Sequence, residues 1–143
     1  MQTILHDLTI KAPVSKVFEG VSAPALLDEW WTKRSTGVPR VGERYQLWFT
    51  PEYIWQATVT RLDPGSSFEL TMGDSDADWQ GTRVGFAVEE HASGAGLRFS
   101  HGGWREANEH FRVSSYCWAV YLRVLKRYLE AGIRIPYEER GLV

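Results

Sequence analysis

The stretch from Glu106 to Ala131 places apolar residues at helical spacing on two faces rather than one. A helix on a protein surface needs one apolar stripe, so a helix with two must be covered over much of its circumference. The sequence therefore predicts a long helix wrapped by the preceding chain and ending at Gly132, a residue type favoured at helix C-caps. One stripe consists of Phe111, Ser115, Trp118, Leu122, Leu125 and Leu129, and the other of Val113, Cys117, Val120, Val124 and Tyr128.

Most of the chain before this helix alternates between apolar and polar residues, which is the period of a β-strand. A first strand is predicted over residues 2–11, and five more are predicted between residues 45 and 101. Two short helices are expected after the first strand, because Pro13 and Pro24 each lead into apolar residues at helical spacing. Residues 32–43, with two glycines and a proline, are expected to form a loop. A run of strands closed by one helix predicts an α+β fold with an antiparallel sheet.

Length, charge and cysteine content narrow the class of protein further. A chain of 143 residues is expected to form a single domain, over residues 1–143. The net charge of −2, without a basic patch, argues against nucleic-acid binding, and no segment is apolar and long enough for membrane insertion. Cys117 is the only cysteine, and residues 1–13 lack the pattern of a signal peptide, so we expect a cytoplasmic protein.

Three segments of the chain resemble the Bet v 1/START-like (SRPBCC) superfamily, and within it the branch named for the activator of heat-shock protein 90 ATPase. The segments cover residues 10–31, 61–70 and 114–132. In that branch a short amphipathic segment follows an Ala-Pro pair and leads to two tryptophans, here Trp30 and Trp31.

The last helix carries further matches to the branch. A tryptophan followed by leucines at helical spacing is typical there, and this chain has Trp118, Leu122, Leu125 and Leu129. A glycine usually precedes that tryptophan, whereas this chain has Cys117. The larger residue could narrow a cavity beside the helix or place a thiol in it.

The resemblance implies the helix-grip fold, in which a curved antiparallel sheet wraps around the long C-terminal helix and leaves a hydrophobic cavity between them. Members of the superfamily bind apolar or amphipathic small molecules, and some are cyclases or hydroxylating enzymes. The eukaryotic founder of the branch acts on a chaperone through its surface. Because one fold serves several functions, the resemblance alone does not choose among them.

Ligand binding in that cavity is the first interpretation, because apolar pockets with a few polar groups are the usual design of small-molecule sites. The small residues Ser114, Ser115 and Cys117 predict that the cavity is widest beside the first turns of the helix, with Trp30 and Trp31 closing one end. The residues predicted to line it are Trp30, Trp31, Tyr45, Phe49, Trp55, Phe86, Phe99, His101, Phe111, Ser115, Trp118, Tyr121 and Leu122.

Polar groups in the cavity would orient the ligand, and His101 and Tyr121 are the candidates. His101 could also act as a general base, although a hydrogen-bonded structural histidine is the alternative for that position. Trp79 and Trp104 are further aromatics that could stack on a flat ligand or pack in the core.

Two other functions stay open at this point. The chain could be a chaperone-cofactor-like or regulatory protein that binds a partner through its surface. It could also be a cyclase- or hydrolase-type enzyme acting on a ligand in the cavity, which would require a titratable residue there with a shifted pKa. Apart from His101 the sequence offers no candidate for that role, and no catalytic residue is predicted.

An acidic loop imitates the start of a calcium-binding loop, with Asp74, Asp76 and Asp78. An EF-hand loop also needs Gly at its sixth position and Glu at its twelfth, where this chain has Trp79 and Gly85. No pair of the four histidines has the i, i+4 spacing of a helical zinc site. We therefore expect a solvated loop, no metal site and no cofactor.

Overall fold

The computed structural model describes residues 1–142, so the domain predicted over residues 1–143 lies within them except for Val143, which falls outside the described residues. Seven strands, three α-helices and a terminal 3₁₀-helix follow one another along this part of the chain. They are β1 (Gln2–Ile10), α1 (Val14–Ser22), α2 (Pro24–Leu27), β2 (Arg34–Thr36), β3 (Arg44–Thr50), β4 (Tyr53–Asp63), β5 (Ser67–Met72), β6 (Arg83–His91), β7 (Gly94–Trp104), α3 (Glu109–Ala131) and the 3₁₀-helix (Tyr137–Leu142).

The seven strands form one antiparallel sheet in the order β1-β7-β6-β5-β4-β3-β2. The sheet curves around α3, and α1 and α2 follow the first strand, so the predicted helix-grip fold is confirmed. Within residues 1–142, none of the helices is long and apolar enough to cross a membrane.

The short strand β2 lies inside the segment that was expected to be a loop, so that expectation is wrong at Arg34–Thr36. Ser35 pairs with Leu47 of β3, and its hydroxyl donates to the Pro24 carbonyl at 2.7 Å and approaches the Asp28 carboxylate at 2.9 Å. Three residues are too few to display the alternation of a strand. This strand therefore forms because of its contacts with residues distant in sequence.

The second short helix ends earlier than its apolar spacing predicts. α2 ends at Leu27, and Trp30 and Trp31 lie in the turn that follows. The indole N–H of Trp30 donates to the Gly20 carbonyl at 2.9 Å, which ties this turn to α1. Both tryptophans are buried.

The long helix α3 begins after Asn108, whose side chain accepts a hydrogen bond from the Phe111 N–H at 2.9 Å. Gly132 ends it with φ of 67°, as the predicted C-cap. The second apolar stripe is only partly covered, since Val113 is 49% exposed. The buried residues of α3 are Ser114, Trp118, Leu122, Val124 and Leu125.

Candidate ligand-binding cavity

A cavity of about 420 Å³ lies between the N-terminal half of α3 and the β3–β4 hairpin. The helix contributes small residues to its wall, Ser114 and Cys117, and the hairpin contributes aromatic ones, among them Phe49 and Trp55. The lining is mostly apolar and aromatic, as is usual for small-molecule sites. Its residues are Trp31, Phe49, Thr50, Tyr53, Trp55, Asp76, Trp79, His110, Val113, Ser114, Cys117, Trp118, Tyr121 and Tyr137.

Four indole rings packed against one another form the inner wall of this cavity. The Trp118 ring centroid lies 5.0 Å from that of Trp31 and 5.7 Å from that of Trp79, with Trp118 and Trp79 stacked at an interplanar angle of 23°. Trp55 continues the wall at 5.0 Å from Trp79. Aromatic side chains are large and lose little rotamer freedom on packing, so this wall is a rigid apolar surface.

His101 lies behind that wall, fully buried, and supports it. The Trp118 indole N–H donates to His101 Nδ1 at 3.1 Å. Because an indole nitrogen can only donate, the His101 proton must be on Nε2, which lies 2.8 Å from Thr82 Oγ1. The Thr82 hydroxyl in turn donates to the Trp79 carbonyl at 2.5 Å. One chain of hydrogen bonds thus joins two tryptophans of the cavity wall.

Burial lowers the pKa of His101 to about 3, with a smaller contribution from the nearby His110. Both ring nitrogens are engaged in the core, and His101 is not among the residues that line the cavity. This geometry gives His101 a structural role, which was the alternative to a ligand-orienting residue or general base.

The structure divides the residues predicted to line the cavity into three groups. Trp31, Phe49, Trp55, Trp118 and Tyr121 line it together. A second group lies in the core behind the lining and consists of Trp30, Tyr45, Phe86, Phe99 and His101.

The third group consists of Phe111, Ser115 and Leu122, which lie on other faces of α3. Phe111 packs edge-on against Trp104 at 5.4 Å between ring centroids. The Ser115 carbonyl lies 3.1 Å from Nε2 of His6 on β1. Leu122 is buried at the side of α3 that faces β1. Each residue along a helix turns about 100°, so Ser114 and Cys117 face the cavity while Ser115 faces away.

Several lining residues were not among those predicted from the sequence. Trp79 was only a stacking candidate and was expected at the start of a strand, whereas it lies in the loop before β6. Tyr137 follows the C-cap of α3, where no periodic pattern remains to indicate a position. In the sequence, only the presence of an aromatic residue among charged ones after Gly132 indicated that Tyr137 could contact the domain.

Burial also sets the protonation of two groups in the lining. It raises the pKa of the Cys117 thiol, which therefore stays protonated near neutral pH and is a poor nucleophile. It likewise raises the pKa of Tyr121, with nearby Tyr137 and Cys117 adding to the effect and Arg140 opposing it, so its hydroxyl stays neutral. The part of the wall that these two residues form is therefore uncharged, which favours an apolar ligand group over a charged one there.

Two polar atoms of lining residues, Thr50 Oγ1 and Trp79 Nε1, are buried and have no hydrogen-bond partner among residues 1–142. Buried polar atoms without partners are rare in native proteins. The indole N–H of Trp79 can only donate, so the partner that would satisfy it is an acceptor.

A polar cluster at the edge of the cavity joins the acidic loop to α3. His110 Nδ1 lies 2.9 Å from Asp78 Oδ2 and 3.6 Å from Asp76 Oδ1. The Asp78 N–H donates to Asp76 Oδ1 at 2.8 Å. The three side chains offer one possible metal-ligating atom each within 4.8 Å of one another. Their mutual hydrogen bonds already account for the arrangement, which fastens the loop of Trp79 to the helix.

A family model described as "Activator of Hsp90 ATPase homolog 1-like protein" matches residues 11–130. The chain belongs to this family. The resemblance found in the three sequence segments is thereby confirmed. No curated protein matches the sequence at a significant level.

Solved structures share the fold over almost the whole chain. The Aha1 dimer from Colwellia psychrerythraea is 29% identical, with a TM-score of 0.83 over 92% of this chain and 98% of that chain. The AHSA1-like protein from Aeromonas hydrophila is 17% identical, with a TM-score of 0.74 over 92% of this chain and 94% of that chain. DynU16, from the dynemicin biosynthetic locus, is 18% identical with a TM-score of 0.80, over 95% of this chain and 51% of its own.

Proposed function

We propose that this protein binds a small apolar or amphipathic molecule in the cavity between α3 and the β3–β4 hairpin. The observation that carries the proposal is the aromatic-lined space of about 420 Å³, which falls within the common size range of ligand pockets. Burying apolar ligand surface at roughly 25 cal/mol per Å² would supply most of the affinity. The indole wall favours a flat ligand, which can stack on it.

The ligand would be oriented by polar groups at the edges of this wall. Tyr121 keeps the orienting role expected for it, since its neutral hydroxyl belongs to the lining. A ligand with a hydrogen-bond acceptor is favoured over a pure hydrocarbon, because the Tyr121 hydroxyl can donate to it. His101 acts indirectly, through its hydrogen bond to Trp118.

An uncharged apolar fluorescent dye such as N-phenyl-1-naphthylamine tests the proposal. It should bind the folded protein and quench tryptophan emission, because four tryptophans line the cavity. Cys117→Trp should abolish binding by filling the space. Tyr116→Trp is the matched control, since it adds the same side chain on the same helix at a position that is 72% exposed. Unchanged binding by a folded Cys117→Trp variant would place the ligand elsewhere.

A second candidate function is that of a chaperone-cofactor-like or regulatory protein that acts through its surface. Apolar side chains are exposed on the hairpin and on α3: Tyr53 and Val113 belong to the cavity lining, whereas Ile54 and Tyr116 lie outside it. The description of the family, which names an activator of Hsp90 ATPase, favours an Hsp90-type chaperone as the partner. If the surface acts in this way, Ile54→Glu with Tyr116→Glu should abolish stimulation of Hsp90 ATPase activity and leave dye binding intact.

We further propose that the chain works as one domain in the cytoplasm. The single cysteine supports a reducing compartment, where disulfides do not persist. Fractionation of cells that express the tagged protein tests the location.

A further inference from the structure

The chain after α3 returns toward the cavity rather than leaving the domain. Gly132, with φ of 67°, reverses its direction at the end of the helix. Ile135 then packs against the core, and the 3₁₀-helix that begins at Tyr137 places that ring in the cavity lining. The segment after α3 thus adds the Tyr137 ring to the wall of the cavity.

Arg140 fastens this segment. Although arginine is rarely buried, Arg140 is only 4% exposed. Its guanidinium donates to the carbonyls of Ile135 at 3.1 Å and of Thr32 at 3.0 Å, and also to the carbonyl of Asp28. The same group lies 5.5 Å from the centroid of the Tyr137 ring, in cation–π geometry. A planar group with five donors can satisfy all these partners at once.

The two distant carbonyls that Arg140 contacts flank another lining residue. Asp28 and Thr32 lie on either side of the turn that presents Trp31 to the cavity. Removing the guanidinium would therefore release Tyr137 and leave buried carbonyls without partners. The neighbouring ion pair between Lys33 and Glu138, at 2.8 Å, is more than half exposed and adds little.

We infer that Tyr137 is a ligand-contacting, specificity-determining residue of this cavity, and that Arg140 is the positioning residue that holds it there. The inference rests on the proposed ligand-binding function and extends the binding site to a terminal segment beyond the α3 helix. The segment after α3 contacts the bound small molecule, so the affinity for that molecule depends on residues outside the sheet.

A double-mutant cycle with the same dye tests this inference. Tyr137→Ala should raise the dye Kd about tenfold, because the dye loses its apolar contact with one face of the tyrosine ring. Arg140→Gln should raise it by a similar factor. The Arg140 guanidinium contacts the ring of Tyr137 but only the backbone of the turn that carries Trp31. Its effect on the dye should therefore pass through Tyr137, and the double variant should bind no more weakly than Tyr137→Ala alone. Tyr116→Ala, which removes an exposed tyrosine from α3, should leave the Kd unchanged.

The outcomes separate the inference from the proposed function. A parent protein that does not bind the dye overturns both. A parent that binds, with a Tyr137→Ala variant of equal affinity, overturns the inference alone. If the fold-changes in Kd of the two single variants multiply in the double variant, Arg140 affects binding by a route other than Tyr137. That result also overturns the positioning role assigned to Arg140. If Arg140→Gln does not fold, Arg140→Lys takes its place, since lysine keeps the charge but lacks the planar fork.

Discussion

The two halves of α3 face the same sheet and are packed differently. At the C-terminal half, α1 closes the space so tightly that a Cβ atom added to Gly20 would come within 3.3 Å of Leu129. At the N-terminal half, Ser114 and Cys117 face the β3–β4 hairpin across the cavity. One helix is thus part of a solid core at one end and the wall of an open space at the other.

The difference follows from side-chain size and from which elements cover the helix. Val124 and Leu125 are fully buried at the closed end, where α1 contributes Val17 and Val21. Small residues replace them at the open end, where the 3₁₀-helix contributes Tyr137 to the cavity wall. Trp118 lies between the two halves, so changes on either side of it should distinguish them.

The largest effect is expected for Trp118→Ala. This side chain is buried against Phe99, Trp31 and Trp79, and its indole N–H is bonded to His101. Deleting a large buried aromatic typically costs about 3–5 kcal/mol. Denaturant melts should show a loss of that size in the free energy of unfolding. A loss below about 1 kcal/mol would mean that Trp118 belongs to the open half and not to the core.

A smaller loss of stability is expected when the pH is lowered. The folded-state pKa of His101 is lowered to about 3 from an unfolded value of 6.5. Between these values the unfolded chain binds a proton that the folded chain does not, so stability is complete above about pH 6.5 and falls as the pH drops toward 3. Between pH 7.5 and 4.5 this histidine should account for a loss of about 2–3 kcal/mol.

Urea melts of His101→Gln and the parent at those two pH values measure this contribution. The variant should lose about 2–3 kcal/mol less than the parent on acidification. His91→Gln is the control, because it makes the same replacement at an exposed histidine and leaves His101 in the core. Equal acid sensitivity in all three proteins would show that His101 can be protonated within the fold.

The smallest effects on the free energy of unfolding are expected from two substitutions that compare the halves of α3 directly. Val124→Phe adds volume at the closed end, where overpacking usually costs about 1–3 kcal/mol. Cys117→Phe adds more volume at the open end and should cost less than about 0.5 kcal/mol, because the ring can enter the cavity. Thermal or denaturant melts of the pair measure the contrast. Equal losses would mean that the cavity closes without a ligand.

The sequence predicted the α+β class, the long helix and its Gly132 cap, since each depends on local patterns. It missed β2, because that strand is decided by partners such as Leu47 and Pro24 rather than by its own three residues. It also placed Trp30 and Trp31 in a helix that ends at Leu27. Elements without a pattern of their own are therefore where sequence-based prediction failed.

The candidate site shows the same division. Strand and helix periodicity determined which side chains point inward, and that was enough to find Trp118 and Tyr121. Only the tertiary structure decided which part of the inward surface stays open. That depends on how closely α1 approaches one end of α3, and on whether Trp79 and Tyr137 reach the other. Alternation describes one element at a time, whereas a cavity is the space left when all of them have packed together.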